Sequence, residues 1–340
     1  MAAMTRGFGR TIRVPESSAR VKPLATTPTV LREARYGPGM VQFGVHVGPQ
    51  MCSMAELRNV WATAERLGFD WISVWDHFYP APSPLDGDCF EGIACHAALA
   101  ALTTRPRVGS LVYSTGYRHP AVLANAAATI DHLSDGRLEL GLGAGWHKWE
   151  YDAYGIPFEA PKVRLRRMAE SIQCVRLLLT EDVANFDGEF FTLTDARCNP
   201  KPVQAKPRIW VGASGEQIGL KLAGRHGDAW NVAFAGPEDF ARKRAIVLDH
   251  APDPDSFVTG VNLLYVPCEV DEIDAALDLR LGPMAEMMRP GALVGDVAGI
   301  TDRIGAYVDA GAQWIILALR APFDLDALEQ FSTEVAPSFR

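Results

Sequence analysis

Eight apolar runs rich in β-branched and aromatic residues, nearly every one followed by a helical stretch, predict a (β/α)8 TIM barrel over residues 40–340. A break in that rhythm at 183–197 predicts an insertion hairpin after the fourth βα unit. No linker within 40–340 splits the pattern, so a single domain is expected. A doubly wound parallel sheet is the competing arrangement.

The elements follow in order. "VQFGVHV" (41–47) reads as the first strand. "MAELRNVWATAERLG" follows as an amphipathic helix, with Ser53 as N-cap and Gly68 as its stop. "FDWISVW" is apolar on both faces, as a strand buried deep in a parallel sheet should be. A helix through "CFEGIACHAALAALTT", a strand at "RVGSLVY" and a helix from "HPAVLANAAATIDHLS" come next, with Pro120 in the first turn, where proline is tolerated. Then come the strand "RLELGLGA" and a helix over 164–180. "NFDGEFFTLTD" reads as the hairpin, turning at Asp187-Gly188. "PRIWVGA", a helix from Gly215 to His226, "DAWNVAF" and a helix at 237–250 resume the alternation. "FVTGVNLLYVP", a helical stretch, "AQWIILAL" and a helix at 324–336 close it.

The chain is 48% hydrophobic and 22% charged, with a formal net charge of −8, a balance that argues against a nucleic-acid partner. It has no run of about eighteen apolar residues that would span a membrane. Its six cysteines show neither CxxC nor metal-ligand spacing, so a reduced, cytoplasmic protein without a metal is expected. Residues 1–39 differ from the rest: seven Lys/Arg against two Glu give +5, leaving −13 on residues 40–340. A disordered extension, a start codon placed upstream of Met40 and an organellar presequence all fit this leader, which has no secretory h-region.

Four constellations carry chemistry. Asp76 and His77 end the second strand, at the barrel face where catalytic residues gather; a satisfied core histidine and a turn-capping aspartate are the plain alternatives. Gly141, Gly143 and Gly145 fail the dinucleotide fingerprint, whose third glycine would fall at Trp146. They leave a flat wall beside Trp146, His147 and Trp149, against which a planar cofactor or a packed strand could lie. Gly212, Ser214 and Gly215 precede a helix, as in a phosphate cradle or an ordinary turn. Arg118 and His119 suit the capping of the next helix as well as a ligand, and alternation leaves the direction of His46 open.

"GFDWISVWDHF", "RHPAVLANAAATIDHLSDGRLELGLGAGWHKWEYDAYGIPF" and "KPVQAKPRIWVGASG" resemble the luciferase-like flavin and deazaflavin oxidoreductases from about Met40 to the C-terminus. The resemblance implies a (β/α)8 barrel with an insertion after the fourth strand's helix, and a mouth that binds coenzyme F420 or FMN. The Asp-His pair looks like the F420 branch, with His77 as proton donor or acceptor and Asp76 fixing its orientation or hydrogen-bonding the cofactor ring. A non-proline cis peptide is implied at Ser110–Leu111. Gly143, Ala144 and Gly145 would line the ring or its ribityl chain, and Gly212, Ala213, Ser214 and Gly215 the phosphate.

Trp75, Phe78, Trp146 and His147, with Tyr79, Trp149 and Trp230, would form an aromatic substrate pocket. Trp146 stands where the glucose-6-phosphate branch has a glutamate, which argues against a sugar phosphate and for an uncharged or weakly polar substrate. The expected activity is hydride transfer between F420 and a small organic substrate. The alternatives are an FMNH2-dependent two-component monooxygenase of the alkanesulfonate type, partnered by a flavin reductase, and a non-catalytic flavin-binding protein. A homodimer would suit the family.

Overall fold

A computed structural model of the chain describes residues 41–81 and 86–340. The expected N-terminal extension, residues 1–39, lies outside them. Eight parallel strands close into a ring: β1 (Gln42–Val47), β2 (Trp71–Val74), β3 (Arg107–Ser110), β4 (Leu138–Gly143), β5 (Arg208–Gly212), β6 (Ala229–Ala233), β7 (Val258–Pro267) and β8 (Trp314–Leu319). Each pairs with its successor, and β8 returns to β1 with Gln42 opposite Trp314. Closure excludes the open doubly wound sheet and confirms the barrel.

Tryptophans fill the lower part of the ring. Trp71, Trp210 and Trp314, from β2, β5 and β8, meet edge to face with centroids 4.7–6.3 Å apart. Gly109 on β3 makes room for them, because a Cβ there would lie 2.5 Å from the Trp71 ring. Trp210 Nε1 donates to the buried Glu139 at 2.6 Å, and Arg107 and Arg208 pair with that carboxylate. With the lower end plugged, the open space lies toward the C-terminal ends of the strands.

The covering helices include α1 (Met54–Arg66), α2 (Gly92–Leu102), α3 (Pro120–Leu133), α4 (Lys148–Tyr154), α5 (Pro161–Thr180), α6 (Gly219–His226) and α7 (Pro237–Leu248). Ser53 caps α1 as expected, accepting from the Glu56 amide at 3.2 Å while Glu56 Oε2 accepts from the Ser53 amide at 2.7 Å. His119 caps α3 through Nδ1, so the capping alternative holds for it.

Three expectations are corrected. The hairpin Ala184–Asp187/Thr192–Ala196 is present between α5 and β5, but it turns over 188–191 rather than at Asp187-Gly188. The cause is Glu170 of α5, whose carboxylate accepts the amides of residues 189, 190 and 191 and holds a four-residue loop. Helix α6 starts at Gly219, not Gly215; residues 216–218 form a turn in which Glu216 reaches Arg242 and Lys243 of α7. A short strand, Ala292–Gly295, falls inside the stretch expected to be helical, because β7 is ten residues long and its last four pair with it.

Candidate active site

All eight strand ends converge on one cavity of about 540 Å³, within the usual range for small-ligand sites. Asp76 and His77, just past β2, line it together with Gly143 at the end of β4 and Gly212 at the end of β5. The four residues singled out from distant parts of the sequence therefore share one rim. His46 faces the same cavity, with Nδ1 2.9 Å from Ser73 Oγ on the neighbouring strand. Burial, helped by the charges of His77 and Arg320, lowers its pKa to about 3, so it is neutral at physiological pH.

His77 is held by a carboxylate that sequence reasoning missed. Its Nδ1 lies 3.1 and 3.0 Å from the two oxygens of Glu150, a fully buried residue on the first turn of α4. Glu150 also accepts from the Phe78 and Tyr79 amides, at 3.0 and 3.1 Å, and from the Tyr117 hydroxyl. Burial opposes ionisation of Glu150, but the hydrogen bond and charge of His77 and the bonds from Tyr117 and Tyr79 outweigh it and hold the carboxyl at about 2. An ionised carboxylate only accepts, so the His77 proton sits on Nδ1. No hydrogen bond reaches Nε2 among the described residues, and His77 lines the cavity. The only signal for Glu150 in the sequence was a carboxylate among the rings of "WHKWEY".

This arrangement has a consequence in acid. The folded pKa of Glu150 lies below its ordinary 4.5, so its contribution to stability is complete above that value and is lost as pH falls toward about 2. Urea midpoints measured from pH 7 to pH 3 should fall more steeply for the wild-type protein than for Glu150→Gln. Parallel curves would contradict the assignment.

Asp76 makes no hydrogen bond to His77 among the described residues, so the expected orienting role has no contact behind it. Asp76 is buried and forms a two-pronged pair with Arg118 at 2.6 and 2.8 Å, and its Oδ2 also accepts the Ser114 amide at 3.0 Å. Burial pushes the Asp76 carboxyl up, and the guanidinium and the amide pull against it. The bidentate geometry is that of an ionised pair, and Arg118 also reaches Glu91. Asp76 therefore ties the loop after β2 to the segments after β3.

The cis peptide is at Leu111–Val112, one residue beyond the expected position. Leu111 and Val112 line the cavity. Ser110 does not, being fully buried, with its hydroxyl bonded to the Gly141 backbone at 3.0 Å. The glycine wall has a local explanation in Val112: a Cβ on Gly143 would lie 2.5 Å, and one on Gly212 2.9 Å, from its methyl groups. Val112 thus fills the space those glycines leave and becomes part of the cavity wall. Ala144, Gly145, Ala213, Ser214 and Gly215 also line the cavity, and a Cβ on Gly215 would meet nothing within 4 Å. Because α6 begins four residues later, Gly215 presents open loop backbone rather than a helix N-terminus.

The aromatic pocket is smaller than expected. Trp75 and Trp146 line the cavity, with Trp146 exposed at the rim. Phe78 instead packs behind it, 4.6 Å from the Tyr117 ring and 4.8 Å from Tyr154. Tyr79 and Trp149 meet each other at 4.5 Å, and Trp230 is fully buried with Nε1 donating to Ala213 O. His147 backs the site, with Nδ1 3.4 Å from Glu150 Oε1. The ligating atoms of His77, His147 and Glu150 lie within 4.8 Å of one another. Four protein donors already occupy the Glu150 oxygens, however, which fills the lone pairs a metal would need.

A parallel barrel with a deep cavity at its C-terminal rim, holding a histidine oriented by a buried carboxylate, has the architecture of a barrel enzyme. The chain belongs to the luciferase-like monooxygenase family, whose model matches residues 39–264. An F420-dependent glucose-6-phosphate dehydrogenase of Kineococcus radiotolerans is 31% identical over 332 residues, covering 88% of this chain and 97% of the relative. A protein of the same name from Amycolatopsis mediterranei is 34% identical over 192 residues, 56% of this chain and 57% of that relative's length. Among solved structures, an F420-dependent secondary alcohol dehydrogenase in complex with an F420-acetone adduct superposes with a TM-score of 0.77 at 21% identity, covering 88% of this chain and 99% of the other. No helix among the described residues is long and apolar enough to cross a membrane.

Proposed function

We propose that the protein is an oxidoreductase transferring a hydride between coenzyme F420 and a small organic substrate. The observation that carries this reading is His77, presented to the cavity with Nδ1 fixed by an ionised Glu150 and Nε2 unpartnered. The F420-dependent relatives support the choice of cofactor. The cavity fits such a group. Arg164 of α5 lines it without a carboxylate partner among the described residues, and its Nε is a buried donor with no hydrogen-bond acceptor. Its guanidinium lies 3.8 Å from the Phe158 ring and bonds the Gly145 carbonyl, and Ser214 and Gly215 line the same cavity. Together these would hold the cofactor's phosphate, with Val112 and Leu111 supporting its ring.

Bound F420 supplies the carbon centre that accepts or donates the hydride. The protein's own task is to position the partners and handle the proton. His77 Nε2 gives or takes the proton that accompanies the hydride, and Glu150 is the positioning residue that keeps the imidazole in one tautomer. Asp76 and Arg118 hold the loop on which His77 stands.

A monooxygenase using FMNH2 from a separate reductase is the second reading, favoured by the family's luciferase-like monooxygenase description. Titration with F420 and with FMN, followed by fluorescence, separates the two. The proposal expects saturable F420 binding and much weaker FMN binding; tight FMN binding without F420 binding would overturn it.

A further inference from the structure

Arg320, the first residue past β8, lines the same cavity as Arg164. It is half-buried, yet it makes no hydrogen bond and no ion pair among the described residues. A cation so placed loses hydration without compensation, and burial alone pushes its pKa down. Its neighbours do not neutralise it. Its Cζ stands 5.9 Å from the Trp75 ring, and the nearby His46 is uncharged. The His77 ring lies 6.2 Å from the same Trp75 ring, so guanidinium and proton carrier flank one indole.

We propose that Arg320 is a specificity residue that receives a carboxylate on the substrate, holding the substrate's other end near His77. This rests on the proposed function and revises the expectation of an uncharged substrate. Among the described residues, Arg164 and Arg320 both line the cavity without a carboxylate partner. Arg164, with the open backbone of Ser214 and Gly215, suits the cofactor's phosphate. Arg320 stands alone, and a single positive charge matches a monoanion such as a carboxylate better than a doubly charged phosphate ester. Its planar fork also matches two carboxylate oxygens.

Calorimetric titration of the full-length protein with butyrate, butyramide and orthophosphate, with and without saturating F420, tests this. Butyrate should bind and butyramide, of the same shape without the charge, should not. Arg320→Gln should weaken butyrate about 10–100-fold, while F420 affinity stays within about threefold. Arg320→Lys, which keeps the charge and loses the fork, should fall between. Equal binding of butyrate and butyramide by the unaltered protein would overturn the proposal. So would orthophosphate binding tighter than butyrate through Arg320, or an F420 affinity loss of about tenfold or more in Arg320→Gln, which would give the cation to the cofactor. If Arg320-dependent butyrate binding survives but F420 fails to bind, the inference stands and the proposed function falls; F420 binding without butyrate binding gives the reverse.

Discussion

His77→Ala is expected to lower turnover by about 10²–10⁴-fold while leaving F420 affinity within about threefold. The size follows from removing a positioned proton carrier, and the retained affinity follows from the geometry. The groups assigned to the cofactor, Arg164 with the Ser214–Gly215 backbone and the Val112 wall, make no hydrogen bond to His77. Single-turnover kinetics together with a fluorescence titration of the same variant measure both quantities. Loss of binding in step with rate would make His77 a cofactor-holding residue. An unaltered protein that binds F420 without turning over a panel of organic acids and alcohols would leave only the non-catalytic binding reading.

Arg118→Met is expected to destabilise the fold by about 3–5 kcal/mol, the usual cost of stranding one member of a buried ion pair. Asp76 is buried, and its two oxygens would keep only the Ser114 amide. Adding Asp76→Asn removes the stranded charge, so the double variant should be more stable than Arg118→Met alone. Burial already holds the folded pKa of Asp76 above its unfolded value, and in the single variant, without the guanidinium, it rises further. The deficit should therefore be largest at neutral pH and shrink as pH falls and the carboxyl protonates. Urea unfolding at pH 7 and pH 5 reads both effects, and a loss below about 1 kcal/mol would mean that the pair contributes little.

The barrel was legible because its strands are local signals. Each is a short apolar run with β-branched or aromatic residues, and Ser53 and Pro120 mark helix starts by their own chemistry. The rim was legible for the same reason, since a polar pair directly after a buried strand falls at the C-terminal face of any parallel barrel. What stayed hidden depends on contacts between residues far apart in the chain. Glu150 meets His77 across 73 positions and Arg118 meets Asp76 across 42, so neither partner could be read from its neighbours. The hairpin turn was set by Glu170 on another element, and the start of α6 follows a turn whose Glu216 is tied to α7. Gly143 was read as part of a wall for a cofactor or a packed strand, and Gly212 as part of a phosphate cradle or an ordinary turn; the side chain that requires both is Val112, on a third strand's extension. Arg320 follows an apolar strand as a single charge, and only the closed ring reveals that it turns into the cavity rather than to solvent.

A crystal structure of the protein with F420 tests the central claim most directly. The account predicts a deazaflavin ring at the C-terminal mouth of the barrel, its reactive edge toward His77 Nε2 and its phosphate against Arg164, Ser214 and Gly215. Cofactor density elsewhere on the molecule, or a ring in the mouth whose reactive edge points away from His77, would contradict it.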